Sequence, residues 1–151
     1  MNETAKEPTQ LAPILTLESK FFWDAATKEQ FVCEKCSDCG QFRFPPRPMC
    51  PHCHSVKRDI VELSGKGKVL SWIKPVHPKP IGFDEPPTVG VIETDEGFRI
   101  VSNIIDIAYE DITFEMPVEV AFAPTVKNKK VPVFRPLSNE NDSLSPVGGE
   151  G

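Results

Sequence analysis

Cys36-Ser37-Asp38-Cys39-Gly40 and Cys50-Pro51-His52-Cys53, with ten residues between Cys39 and Cys50, form the stretch that decides the fold. Each Cys-x-x-Cys pair predicts a tight turn, and two such turns can close on one tetrahedral metal ion, the arrangement of a zinc ribbon. Cys36, Cys39, Cys50 and Cys53 are therefore the expected ligands of a structural Zn2+. Iron takes the same four-thiolate geometry and is the competing ion. Cys33-x-x-Cys36 is an alternative first pair. Gly40 favours Cys36/Cys39, because the residue after a knuckle's second ligand wants a positive φ; Cys33 is then a spare, buried thiol. His52 and His54 flank Cys53 and could ligate instead, but with four thiolates present they are expected at an exposed ribbon tip. Four thiolates leave no open coordination position, so the expected metal is structural and not catalytic.

Outward from this stretch, the chain of 151 residues has room for one ordinary domain or two small ones. A short ribbon cannot bury a core of its own, and the metal replaces one. Sixteen prolines argue for short strands and many turns rather than long helices. No apolar run approaches the roughly 20 residues that span a bilayer, and Met1-Asn2-Glu3-Thr4 begins no export signal. Cysteines in metal spacing rather than a disulfide framework fit a reducing cytoplasm, the expected location.

The expected fold class is mainly β, in five parts. Residues 1–17 are a flexible N-terminus. Residues 18–29 hold a helical segment, where Phe21, Phe22, Ala25 and Ala26 share one face. Residues 30–63 form the ribbon, in which Gln41-Phe42-Arg43-Phe44 alternates as a strand with Phe42 and Phe44 on one side, and Val56 to Leu63 is the exit strand. Residues 64–136 form a barrel of five strands (68–76, 88–94, 98–105, 118–123 and 131–134) with a longer connection after the third, which suggests an OB fold. The turn Thr94-Asp95-Glu96-Gly97 makes a hairpin, residues 77–87 are a proline-rich loop, and 106–115 have room for a helical turn. Residues 137–151 are a polar, disordered tail.

The net charge of −5 is unevenly spread. Residues 33–80 carry nine Lys/Arg against four Asp/Glu, whereas 81–126 carry one Arg against ten acids. The basic half could meet an anionic cofactor or a nucleic acid. Catalytic sets are missing from the sequence. His77 is isolated in the proline loop, no Gly-rich phosphate loop is present, and Asp84/Glu85 and Asp95/Glu96 are acids at turns. The chain is expected not to be an enzyme on its own.

Several motifs stand in order along the chain: Phe22-Trp23, Cys36-x-x-Cys39-Gly40, Phe44-Pro45-Pro46-Arg47-Pro48, Cys50-Pro51-x-Cys53, Gly65-Lys66-Gly67-Lys68-Val69-Leu70-Ser71-Trp72, Pro87-Thr88-Val89-Gly90-Val91-Ile92-Glu93 and Met116-Pro117-Val118-Glu119-Val120. Over residues 18–136 this resembles the zinc-ribbon/OB-fold family of acyl-CoA-associated accessory proteins, long classed as a domain of unknown function. Met116, where that pattern usually has Gly, and the extra Cys33 depart from it. The resemblance implies a helical segment, a rubredoxin-like zinc ribbon and an OB barrel. It also implies a non-catalytic subunit beside a thiolase-fold catalytic subunit, such as a thiolase or thiolase-like aldolase, with acyl-CoA at or near the shared interface. In that setting Arg43, Arg47, Lys66, Lys68 and Lys74 are the candidates for the CoA phosphates, and Phe21, Phe22 and Trp23 for docking the partner. The alternatives are a nucleic-acid-binding ribbon and OB protein, against which the acidic barrel stands, and a free-standing acyl-CoA binding protein.

Overall fold

The computed structural model describes residues 7–137, so the expected tail falls outside the described residues apart from Leu137, as do residues 1–6. One helix, α1 (Lys20–Thr27), precedes the sheets. It starts where Thr16 and Ser19 hydrogen-bond each other through their hydroxyls at 2.9 Å. An i,i+4 ion pair, Lys20–Asp24, lies on its surface, and that lysine's hydrogen bond lowers the Asp24 pKa. It stops where Glu29 turns left-handed at φ 63° and the Gln30 N–H returns to the Ala25 carbonyl.

The ribbon is a three-stranded sheet in the order β2-β1-β3, with β1 Val32–Cys36 between β2 Phe42–Arg43 and β3 Arg58–Glu62. The strand expected over 41–44 is only two residues long, because Pro45 and Pro46 cannot continue the ladder. Alternation nonetheless holds around Arg43. Phe42 and Phe44 both meet Phe98, at 5.9 and 5.0 Å between ring centroids, while Arg43 points to the opposite side.

The barrel is closed, in the order β4-β5-β6-β8-β7 with β7 returning to β4. Its strands are β4 Lys66–Ile73, β5 Thr88–Thr94, β6 Arg99–Ile104, β7 Pro117–Pro124 and β8 Lys130–Pro136. This is the OB topology. A register shift between Val69 and Ser71 lets the long β4 bend around the barrel. The hairpin between β5 and β6 closes with Gly97 N–H on the Thr94 carbonyl, and a single 3-10 turn, Tyr109–Asp111, lies between β6 and β7. Residues 77–87 contain no helix or strand. Val69, Ile92, Ile100, Ile104, Val118 and Phe134 fill the barrel interior.

Helix, ribbon and barrel share one core. Phe22 of α1 meets Phe31 and Phe44 of the ribbon at 6.4 and 5.7 Å. Phe31 in turn meets Phe134 of β8 edge-on at 5.9 Å. Edge-to-face and offset pairs of this kind add to the area they bury, so the modules are fastened by aromatic contact and not merely tethered in sequence. Residues 7–19 run without regular structure but are bonded to the barrel side, with Val126 N–H on the Gln10 carbonyl and Thr9 Oγ1 on the Gly82 carbonyl. No helix among the described residues is long and apolar enough to cross a membrane.

Candidate metal centre and docking surfaces

The Sγ atoms of Cys36, Cys39, Cys50 and Cys53 all lie within 4.8 Å of one another. Cys36 and Cys53 are 3.5 Å apart, and Cys39 and Cys50 are 3.6 Å apart. A tetrahedron with Zn–S bonds of about 2.3 Å has edges of roughly 3.8 Å, so this cage fits a zinc or iron ion. The two knuckles are built alike. Gly40 N–H bonds the Cys36 carbonyl and His54 N–H bonds the Cys50 carbonyl, at 3.0 and 2.9 Å. Gly40 has φ 79° and His54 has φ 68°, so His54 fills in the second knuckle the backbone place that Gly40 fills in the first. Within each knuckle a main-chain N–H also points at sulfur: Cys39 N–H at Cys36 Sγ, and His52 N–H at Cys50 Sγ. The Cys39 N–H is the main reason that the Cys36 thiol drops to about 6, and Cys50 is lowered chiefly by the N–H of Cys53. Ser55 Oγ donates to Asp38 at 2.6 Å and so ties one knuckle to the other. Neither histidine belongs to the cluster, and both are exposed.

Cys33 is buried outside the cage, with its S–H directed at the carbonyls of Glu34 and Arg43. Burial pushes its thiol up to about 12.

The five cations singled out for CoA have different surroundings. Arg43 is 1% exposed. Its Nη1 bonds the Arg47 carbonyl, its Nη2 bonds the carbonyls of Ser55 and Lys57, and its Nε lies 3.8 Å from Glu34 Oε1. Its Nη atoms thus clamp the loops on either side of the second knuckle, its Nε has no hydrogen-bond acceptor, and its burial keeps it from the surface where a phosphate would arrive. Alternation put Arg43 on the side opposite Phe42 and Phe44, ordinarily a solvated one; its burial in the ribbon depends on tertiary packing. Glu34 and Arg58, which sequence reading did not single out, complete the cluster: Glu34 is buried, takes the Arg47 N–H and pairs with Arg58. Arg47 lies at the mouth of this cluster. Lys68 pairs with Glu93 and Glu115 on the barrel, and Lys74 sits over the Tyr109 ring. Lys66 is exposed on β4.

The three aromatics of α1 also separate. Phe22 is core at 4% exposure, Phe21 is half-buried under the Arg58 guanidinium, and Trp23 is half-buried against Phe22. Trp23 lines an open groove of about 970 Å3 together with Leu11, Ile14, Pro46, Val101 and Pro132. This groove between helix, ribbon and barrel has no counterpart in any sequence motif.

Two family descriptions match the chain: "ChsH2, rubredoxin-like zinc ribbon domain" over residues 23–56 and "ChsH2, C-terminal OB-fold domain" over residues 60–123. A solved structure described as "Ltp2-ChsH2(DUF35) aldolase" contains a chain similar to this one at 37% identity and TM-score 0.78, covering 82% of this chain and 98% of that one. The "Probable enoyl-CoA hydratase alpha subunit" of Thermomonospora curvata is 35% identical over 143 residues, which is 93% of this chain but 45% of that protein. This chain therefore spans less than half of that relative. A "DUF35 domain-containing scaffold protein" of Pyrococcus furiosus is 32% identical, covering 68% of this chain and 75% of that one. "Benzoylsuccinyl-CoA thiolase subunit BbsA" of Thauera aromatica is 31% identical over 46% of this chain and 48% of its own length.

Proposed function

This chain belongs to the DUF35 family, with ribbon and barrel of the ChsH2 type, and we propose that it is a non-catalytic scaffold for an acyl-CoA-transforming enzyme. The observation that carries this reading is the likeness, along nearly the whole of that chain, to the DUF35 protein of an aldolase assembly. The preferred partner is a thiolase-fold catalytic subunit that makes or breaks a C–C bond next to a thioester, in line with the aldolase and thiolase names among its relatives. A second reading is favoured by the long match to a hydratase alpha subunit, which would make the partner an enoyl-CoA hydratase. In either case the protein works where its soluble acyl-CoA substrate is, in the cytoplasm.

Cys36, Cys39, Cys50 and Cys53 would hold a structural Zn2+, whose role when bound is to fix the two knuckles without offering a coordination site to substrate. The residues of this chain do the rest by shape. Arg43 and Glu34 hold the loop at Arg47 and the segment at Ser55–Lys57 against the ribbon. The Phe22-Phe31-Phe134 contacts carry that rigidity into the barrel. With Arg43 committed inside, contact with CoA phosphates would fall to Arg47, Lys66, Lys68 or Lys74. With Phe22 in the core, docking would fall to Phe21 and Trp23.

Affinity purification of the tagged full chain from its native host tests this reading. Recovery of a stoichiometric thiolase-fold protein supports the first form, and a hydratase supports the second. Recovery of neither, with tight calorimetric binding of acyl-CoA or of single-stranded RNA to the isolated chain, would replace it by the carrier or the nucleic-acid alternative.

A further inference from the structure

We propose that the open edge of β6 is a strand-addition site for an extended segment of the catalytic partner, an inference that rests on the scaffold reading above. β6 pairs with β5 along its whole length, from Arg99 opposite Glu93 to Ile104 opposite Thr88. With its other neighbour, β8, it forms a ladder of one parallel bridge, Ile104–Phe134, where Ile105 N–H bonds the Phe134 carbonyl. In an antiparallel pair the main-chain groups of successive residues point alternately to the two edges. Thr94 N–H bonds the Phe98 carbonyl, so Phe98, Ile100 and Ser102 direct their main-chain groups toward β5. Arg99 and Val101 therefore direct theirs the other way, with the same parity as Ile105. Among the described residues the ladder from β6 to β8 is confined to Ile104–Phe134, so neither residue takes part in it.

The facing stretch of β8 does not close the gap. Pro132 has no N–H, and the link there is a side-chain bond from Ser102 Oγ to the Pro132 carbonyl at 2.9 Å. The unpaired edge forms the floor of the 970 Å3 groove, and Leu11, Ile14, Trp23 and Pro46 form its walls. Leu11, Ile14 and Val101 are 59%, 86% and 67% exposed. Main-chain rungs below and apolar walls above suit an extended peptide, which takes the rungs with its backbone and the walls with alternate side chains. The groove also selects charge. Arg99 is the sole Lys or Arg of residues 81–126, and its guanidinium is only loosely paired with Glu93 at 3.9 Å. The segment that fits is thus aliphatic at alternate positions, with an acidic side chain opposite Arg99. Residues 138–151 of this chain have no alternating aliphatic run, which makes them a poor match.

The test is hydrogen exchange on the full metal-loaded chain, alone and in complex with the catalytic subunit that copurifies with it. The amides of Arg99 and Val101 should exchange rapidly in the free chain and slow at least tenfold in the complex. Val101→Pro deletes one rung at an edge position that tolerates proline, and should weaken the complex at least tenfold. Val101→Thr, which keeps the N–H, should bind as the parent does. Circular dichroism and metal content separate lost binding from lost folding in the proline variant. If the complex forms while both amides stay fast, the strand-addition site is wrong and the scaffold reading stands. If no acyl-CoA enzyme copurifies, both fall. Slowing in the free chain that depends on its concentration would assign the edge to a second copy, and slowing that disappears on deleting residues 138–151 would assign it to the chain's own tail; either outcome overturns the proposal.

Discussion

Replacing Glu34 by Leu should destabilise this protein far more than a strand substitution in a small ribbon ordinarily does. Glu34 is 1% exposed and lies 3.8 Å from Arg43, whose side chain is wholly buried. At that separation and an effective dielectric of about 20, the attraction is about 4 kcal/mol. Without Glu34, Arg43 keeps its carbonyl bonds but becomes a buried charge with no counter-ion, and the Arg47 N–H loses its acceptor. Breaking a buried pair in this way costs about 3–5 kcal/mol. In a chain of this size that lowers the melting temperature by roughly 10 °C. Arg43→Met should cost a similar amount, because it leaves Glu34 with only the half-exposed Arg58 and strands three carbonyls. The double variant should cost less than the sum by about 2–3 kcal/mol, the coupling expected of residues in direct contact. The assay is urea unfolding of the metal-loaded chain, followed by the fluorescence of Trp23 and Trp72. Single-variant losses below about 1 kcal/mol, or additivity within about 0.5 kcal/mol, would refute the clamp.

Other expectations follow from the same geometry. Because burial raises the Cys33 thiol from 9.0 to about 12, the folded state holds that proton more tightly than the unfolded state. Stability from this group is intact below pH 9 and falls as pH rises toward 12, by up to about 1.4 kcal/mol per unit; Cys33→Ala should flatten the alkaline limb of a denaturation series. In the metal-loaded chain Cys33 should also resist alkylation until the protein unfolds, which mass spectrometry of modified peptides checks. At Gly67 a Cβ would stand 2.5 Å from the Glu93 carbonyl oxygen, so Gly67→Ala should cost at least 1–3 kcal/mol by calorimetry. Removing the metal with a chelator should unfold the ribbon and, through Phe22, Phe31 and Phe44, loosen α1 from the barrel, seen as a blue-to-red shift in Trp23 emission.

The ribbon and barrel were legible because their signals are local. Cysteine spacing, a glycine after Cys39, two-residue alternation and proline placement each act within a few residues of themselves, and the strand order follows from the fold that such strands can make. The site residues were legible only where the chemistry is local too. Four thiolates in knuckle spacing come together, with His54 copying the backbone role of Gly40. Arg43 read as a surface cation because charge is ordinarily solvated. Its burial depends on Glu34, nine residues earlier in sequence but on the paired strand, where Glu34 stands opposite Arg43. Phe22 and Trp23 are adjacent in sequence, yet a 100° step around the helix puts one in the core and the other on the groove. The open β6 edge was invisible because it is set by a parallel register between strands far apart in the chain, and by Pro132 on the far side.

The most direct measurement is reconstitution. An acyl-CoA enzyme that copurifies with the chain, as proposed above, is assayed for acyl-CoA turnover alone, with the metal-loaded chain, and with the chain stripped of metal. This chain alone should give no turnover, the metal-loaded chain should raise the activity or lifetime of the catalytic subunit, and the stripped chain should not. Equal activity in all three mixtures, or turnover by this chain without the other subunit, would contradict the scaffold reading.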